Sequence, residues 1–132
     1  MADAHVVLIA EDYPDFRARL LDLLEPLHLT CIPTSNGRQA IDVVEDASRE
    51  LHLLITDMDM PVNTGWDVIE AFRRHRGPEL PIIMQTGEAR YSYVRNKAQE
   101  LEIVLIDKTD VDTHLVPAVR QALGLSPDGA TP

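Results

Sequence analysis

Five short apolar segments recur along the chain, at residues 6–10, 29–32, 51–56, 81–85 and 103–106, each separated from the next by an amphipathic stretch. The first, third and fifth are mostly Val, Ile and Leu and lack the polar alternation of a half-exposed strand. That pattern belongs to parallel strands covered on both faces. Between the first two segments, Phe16, Leu20, Leu23, Leu24 and Leu27 fall on one face of a helix, and Pro14 is acceptable in its first turn. Ala40, Ile41 and Val44 mark a second helix after the break at Ser35-Asn36-Gly37. Trp66, Val68, Ile69 and Phe72 mark a third, which ends near Gly77-Pro78. A fourth helix, at residues 89–101, is the least regular, mixing Tyr91, Tyr93 and Val94 with charge. The fifth, at residues 111–123, has Leu115, Val119, Ala122 and Leu123 on one side and stops at Gly124. Strand and helix alternating five times predict a parallel sheet with helices on both faces. Right-handed crossovers then favour the order 2-1-3-4-5 of a flavodoxin-like, doubly wound, five-stranded α/β fold. Residues 1–124 are expected to form one domain, and residues 125–132 a flexible tail or the start of a linker.

A formal charge of −10, from 22 acids against 12 bases, argues against nucleic acid as a partner. The one dense basic cluster, Arg73-Arg74-His75-Arg76, reads as the last turn of the third helix, where cations offset the helix dipole. The single cysteine, Cys31, excludes an internal disulfide and reads as a small buried hydrophobe. The N-terminus lacks the features of a secretion signal, and no apolar run approaches the ~18 residues that cross a bilayer. A cytoplasmic protein without membrane insertion is the expectation. The five histidines show no metal spacing, and no glycine loop for a dinucleotide or a nucleotide phosphate follows the first strand.

In a sheet of this kind, ligands bind beyond the carboxyl ends of the strands. Strand one leads into Glu11-Asp12, strand three into Thr56-Asp57-Met58-Asp59-Met60-Pro61, strand four into Thr86-Gly87, and strand five into Asp107-Lys108. Three converging carboxylates repel one another unless a cation sits among them. All-oxygen ligands with room for water suit Mg²⁺. A carboxylate beside that ion can attack phosphorus, while an ammonium and a hydroxyl neutralise the transferring group. Asp57, Lys108 and Thr86 supply those three protein parts, and Glu11 and Asp12 hold the metal. Taken singly, Glu11-Asp12 reads equally well as a helix cap, Thr86 as a loop threonine and Lys108 as a solvated charge; their order and spacing together favour the site. Gly65 reads as permitting a tight turn before the third helix, and Trp66 as helix packing.

Over about residues 5–124 the pattern resembles the receiver domain of two-component response regulators, and the chemotaxis-regulator type in particular. Glu11-Asp12 is similar to that family's acidic pair, and Asp57-Met58-Asp59-Met60-Pro61 followed by Gly65 to its phosphoacceptor loop. Thr86-Gly87 is similar to its switch hydroxyl with a small neighbour, and Lys108 to its lysine after strand five. The resemblance implies a phosphorylation-dependent signalling switch rather than an enzyme acting on separate substrates. Asp57 would accept a phosphoryl group from a histidine kinase, a phosphotransfer protein or a small phosphodonor, and a downstream protein would read the result. It further implies Mg²⁺ on Glu11, Asp12, Asp57 and the backbone carbonyl of Asp59, with Thr86 moving toward the phosphoryl group.

Two positions depart from the family pattern. Leu105 stands where the family has a swinging aromatic, and Thr109 stands where it has proline after the lysine; Tyr91 or Tyr93 offers a substitute aromatic, against the plainer reading of ordinary exposed helix tyrosines. Asp59 and Glu88, each two residues past a site residue, flank the route of water and are expected to set the phosphorylation lifetime. Two other readings compete. One is a receiver-like interaction module indifferent to phosphate, supported by Leu105 and Thr109. The other is a small phosphohydrolase of the haloacid-dehalogenase type, suggested by Asp57-x-Asp59 and opposed by Pro61 and by the early position of Glu11-Asp12.

Overall fold

The structure is a computed structural model describing residues 4–126; of the expected tail, residues 127–132 lie outside the described residues. Five parallel strands, β1 (Val6–Ala10), β2 (Thr30–Thr34), β3 (Leu53–Asp57), β4 (Ile82–Thr86) and β5 (Val104–Asp107), pair in the order β2-β1-β3-β4-β5. Helices α1 (Pro14–Leu24), α2 (Gly37–Glu45), α3 (Gly65–Arg76), α4 (Ser92–Glu100) and α5 (Val111–Leu123) connect and follow them. The expected α/β architecture and strand order are both present. Strands β2 to β5 each begin and end one or two residues later than the apolar runs suggest, because polar residues such as Asp57, Thr86 and Asp107 still pair in the ladder. Pro33 is tolerated because β2 is an edge strand. Helix α1 stops at Leu24, and Leu27 continues in a short 3₁₀ turn around Pro26. The irregular fourth segment is helical only from Ser92.

Alternation along the strands divides the core into two layers. Leu8, Ala10, Leu54, Ile82 and Met84 pack under α2, α3 and α4 with Val44, Val68, Phe72 and Val94. Val7, Ile9, Leu53, Ile55, Ile83 and Ile106 face α1 and α5 with Leu20, Leu24, Leu115 and Val119. That second face carries a repeated signature. Two residues after Ile9, Ile55, Ile83 and Ile106 come Glu11, Asp57, Gln85 and Lys108. A period of two returns each of them to the face of its isoleucine, so one face of the sheet delivers four polar side chains to its carboxyl edge.

The basic cluster does occupy the last turn of α3, yet its members do more than offset that helix's dipole. Arg74 pairs with Glu70 at 3.0 Å, and Arg76 reaches across to the end of α2. There its guanidinium donates to the carbonyls of Val44 (2.9 Å), Val43 (3.3 Å), Asp46 (2.8 Å) and Arg49 (2.6 Å). Those carbonyls lie at the C-terminal end of α2 and in the turn that follows it, where main-chain donors run short. Cys31 is half-buried, and burial raises its thiol pKa. No helix among the described residues is long and apolar enough to cross a membrane. At the C-terminus the Leu125 N–H and the Ser126 carbonyl both bond to Arg120.

Arg76→Ala should lower the unfolding free energy by about 2 kcal/mol, the scale of hydrogen bonds from a charged donor. Arg76→Lys should recover less than half of that loss, because an ammonium lacks the planar fork that spans several carbonyls. Urea denaturation of the three proteins measures both effects.

Candidate functional site

Glu11 follows β1, Asp57 ends β3 and Lys108 follows β5, and the fold brings all three together. The Lys108 ammonium lies 3.2 Å from Asp57 Oδ2 and 3.2 Å from Glu11 Oε1. Strand β4 separates β5 from β3, so the lysine spans roughly 10 Å at the usual strand spacing. Its long stem makes that reach possible. The Phe16 ring, assigned from periodicity to the face of α1, covers the ammonium with its centroid 4.6 Å away. Asp12 completes the cluster: one carboxylate oxygen each from Glu11, Asp12 and Asp57 lie within 4.8 Å of one another.

Glu11 is fully buried and Asp57 nearly so. Neither Glu11 nor Asp12 is the cap residue of α1; that place falls to Tyr13, which caps without its side chain. Instead Glu11 Oε2 accepts from the Tyr13 N–H at 3.1 Å, and Oε1 accepts from Gln85 Nε2 at 3.3 Å. Asp57 Oδ1 accepts from the Met58 N–H at 2.8 Å. Burial, reinforced by the negative charge of Glu11, pushes the Asp57 carboxyl up to about 7 despite Lys108 and Met58. Burial pulls the Lys108 ammonium down, but attraction to Asp57 and Glu11 outweighs it and leaves its pKa raised. Three carboxylates against one ammonium leave two negative charges uncompensated, the charge of one divalent cation. The donor set is all oxygen, as a hard ion requires. The residues therefore fit Mg²⁺.

The loop after β3 is held from two sides. Gly65 is helical and needs no unusual backbone; its role is close approach, since a Cβ there would sit 2.0 Å from the Asp57 carbonyl oxygen. A tight turn is thus not the reason for this glycine. The turn lies earlier, at Val62, whose φ of 74° is unusual for a β-branched residue and closes an Asn63 N–H to Pro61 carbonyl bond of 2.9 Å. Gly37, opening α2, presses on the same loop: a Cβ there would sit 2.1 Å from the Asn63 carbonyl oxygen.

Thr86 is buried at the end of β4, where its hydroxyl accepts from the Glu88 N–H at 3.1 Å. Asp59 is exposed and makes its contact with Glu88, not with the cluster. A hydrogen bond with Asp59, then partial burial, raises the Glu88 pKa, and the Tyr93 hydroxyl donates to Glu88 Oε1 at 3.2 Å. Tyr91 and Tyr93 stack on each other at 6.0 Å and remain exposed. Leu105 packs against the α2–α4 layer. Thr109, in place of a proline, sends both its N–H (2.9 Å) and its hydroxyl (2.8 Å) to Asp107. Trp66 packs against the core, as expected, and Lys97 sits over its ring at 4.6 Å. Sequence reasoning missed Gln85, grouped there with an apolar run. Its signal was a lone amide directly after Ile82, Ile83 and Met84 in strand β4.

These features define a flavodoxin-like α/β domain with an acidic, lysine-bridged pocket at the carboxyl edge of its sheet. The family model for the response regulator receiver domain matches residues 7–120. Chemotaxis protein CheY of Pseudomonas aeruginosa is 32% identical over 95 residues, covering 70% of this chain and 75% of that protein. Chemotaxis protein CheV2 of Helicobacter pylori is 30% identical over 100 residues; the match takes in 74% of this chain and only 32% of CheV2. The signal receiver domain of an HD domain-containing protein from Pseudomonas fluorescens Pf-5 superposes with a TM-score of 0.80 at 27% identity, covering 92% of this chain and 96% of that one. Response regulator protein TrrA from Thermotoga maritima, solved in complex with Mg(2+)-BeF, gives a TM-score of 0.73 at 22% identity, covering 89% and 98% of the two chains, and shares the fold. The chain belongs to the response regulator receiver domain family, whose members act as signalling switches rather than metabolic enzymes.

The raised pKa of Asp57 carries a pH dependence of definite sign. Between its ordinary value of 3.8 and about 7, the folded chain binds a proton at Asp57 that the unfolded chain releases. Stability from this group is therefore present at low pH and is lost as pH rises through about 7. In metal-free buffer the wild-type thermal midpoint should fall relative to Asp57→Asn between pH 5 and pH 8, and Mg²⁺ should restore it at pH 8. Parallel midpoints for the two proteins at every pH would contradict this.

Proposed function

We propose that the chain is a phosphorylation-dependent switch in which Asp57 is the phosphoacceptor, spanning residues 1–124 with the remainder as tail or linker. The observation that carries this reading is the Lys108 ammonium held 3.2 Å from both Asp57 and Glu11, with Asp12 beside them. Glu11, Asp12, Asp57 and the Asp59 carbonyl would hold Mg²⁺. When bound, the ion neutralises negative charge on the phosphoryl oxygens. The structure of TrrA with Mg(2+)-BeF supports that assignment by analogy of fold.

The transfer is a displacement at phosphorus. An oxygen of the Asp57 carboxylate forms the new P–O bond, while the bond to the donor's imidazole nitrogen or acyl oxygen breaks and its electron pair leaves with the donor. The Met58 N–H fixes Oδ1, which orients the carboxylate. Lys108 then exchanges its contact with Asp57 for a phosphoryl oxygen. Thr86, whose hydroxyl is engaged by a backbone N–H and not by a side chain, is free to turn its own proton toward that oxygen. A histidine kinase or phosphotransfer protein supplies the phosphoryl group, and a downstream protein reads the changed surface.

Incubation with a small acyl phosphate should transfer a single phosphoryl group in the presence of Mg²⁺, seen as a mass increase of the intact protein. Asp57→Asn should abolish it. Lys108→Ala should slow it by about 10²-fold, the scale of losing one electrostatic stabiliser. Sustained hydrolysis of small phosphomonoesters would favour the phosphohydrolase reading, and unchanged partner affinity on phosphorylation the phosphate-indifferent module.

Asp59 interacts with Glu88, and in this reading the pair flanks the route of an attacking water. Asp59→Asn and Glu88→Ala should therefore each shift the decay rate of the phosphorylated protein several-fold from wild type. Three equal decay rates would remove these residues from any role in lifetime.

A further inference from the structure

We propose that Gln85 is a positioning residue of the cation site, there to hold Glu11 in place for the ion. This rests on the Mg²⁺ reading above and names a residue outside it. Gln85 occupies the same register on β4 that Asp57 occupies on β3, and the two are ladder partners. It is fully buried on the α1/α5 face, in the strand that Lys108 must cross to reach Asp57 and Glu11. Its Nε2 donates to Glu11 Oε1 at 3.3 Å; the Lys108 ammonium lies 3.2 Å from that oxygen and donates to Oε2 at 3.4 Å. The opposite amide orientation would set two acceptor oxygens against each other, so the donor direction is settled by chemistry.

Lys108 and Gln85 serve Glu11 differently. The ammonium is shared with Asp57, and transfer of a phosphoryl group would draw it away. The neutral amide has no such competing demand and keeps the carboxylate from swinging when the lysine leaves. Its other atom makes the same point from the opposite side. Gln85 Oε1 is buried with no hydrogen-bond partner among the described residues. A Met or Leu here, continuing the Ile82-Ile83-Met84 run, would leave no such orphan. The orphan oxygen is a cost that an apolar residue avoids. A hydrated hard cation brings water molecules, which are the donors such an oxygen lacks.

Calorimetric titration with Mg²⁺ at pH 8 tests this on wild type, Gln85→Met and Gln85→Leu, with thermal unfolding in EDTA on the same samples. Both variants should unfold near the wild-type temperature and bind Mg²⁺ about 10-fold more weakly, the scale of losing a group that orients a metal ligand. Equal affinity in wild type and variants would overturn the proposal, whatever the unfolding temperatures. So would failure of both variants to fold, since the amide would then serve the fold rather than the ion. Absence of Mg²⁺ binding by wild type would sink the metal reading itself, and this inference with it.

Discussion

One ammonium between two buried carboxylates is the constraint around which the rest of the molecule is arranged. Burying Asp57 and Glu11 in an apolar sheet is costly, and Lys108 offsets that cost only in part, as the raised Asp57 pKa records. With all three carboxylates ionised, the pocket carries two negative charges beyond the lysine's, which suits one divalent ion. Strand order makes this arrangement possible. Glu11 and Asp57 sit on adjacent strands, while Lys108 arrives from two strands away and needs its full length to reach them. Phe16 closes over the ammonium from α1.

The backbone around Asp57 is fixed by contacts that leave no room for a side chain. Gly65 and Gly37 approach the loop after β3 closely enough that an alanine at either would have to displace main chain. Between those contacts the loop turns at Val62, in a conformation that costs on the order of 1–3 kcal/mol for a residue of this kind. Such strain persists because the flanking segments are held: the Gly65 N–H bonds to the Met58 carbonyl at 2.7 Å, and the Thr64–Asp67 capping box anchors α3. The result is a rigid seat for the acceptor.

On the opposite side of the pocket the contacts are softer. Thr86, Glu88 and Tyr93 form a chain of hydrogen bonds running from the end of β4 to the start of α4, and Asp59 joins it at Glu88. Beyond Thr86 these residues are exposed or only partly buried, so a change at the pocket can be passed along them without repacking the core. Leu105 packs, partly buried, against the α2–α4 layer instead of offering an aromatic ring, and Thr109 makes with Asp107 the local bonds that a proline would forgo. The departures from the family pattern thus fall on the side that would read the signal, and the residues that would accept it are intact.

The sequence by itself determined the fold class, the strand order and the cluster of Glu11, Asp12, Asp57 and Lys108, because these follow from local periodicity and from the rule that parallel strands present ligands at their carboxyl ends. The recurring isoleucine followed two residues later by Glu11, Asp57, Gln85 or Lys108 was legible too, though only three of the four drew notice. What only tertiary structure decided were the contacts between segments distant in the chain. Arg76 capping α2, Phe16 covering Lys108, Gly65 pressed on the Asp57 carbonyl and Gln85 holding Glu11 all depend on which strands and helices become neighbours. No local pattern encodes such a neighbour: a helix-terminal arginine or a strand glutamine has the same propensities whatever lies opposite, and packing alone selects its partner.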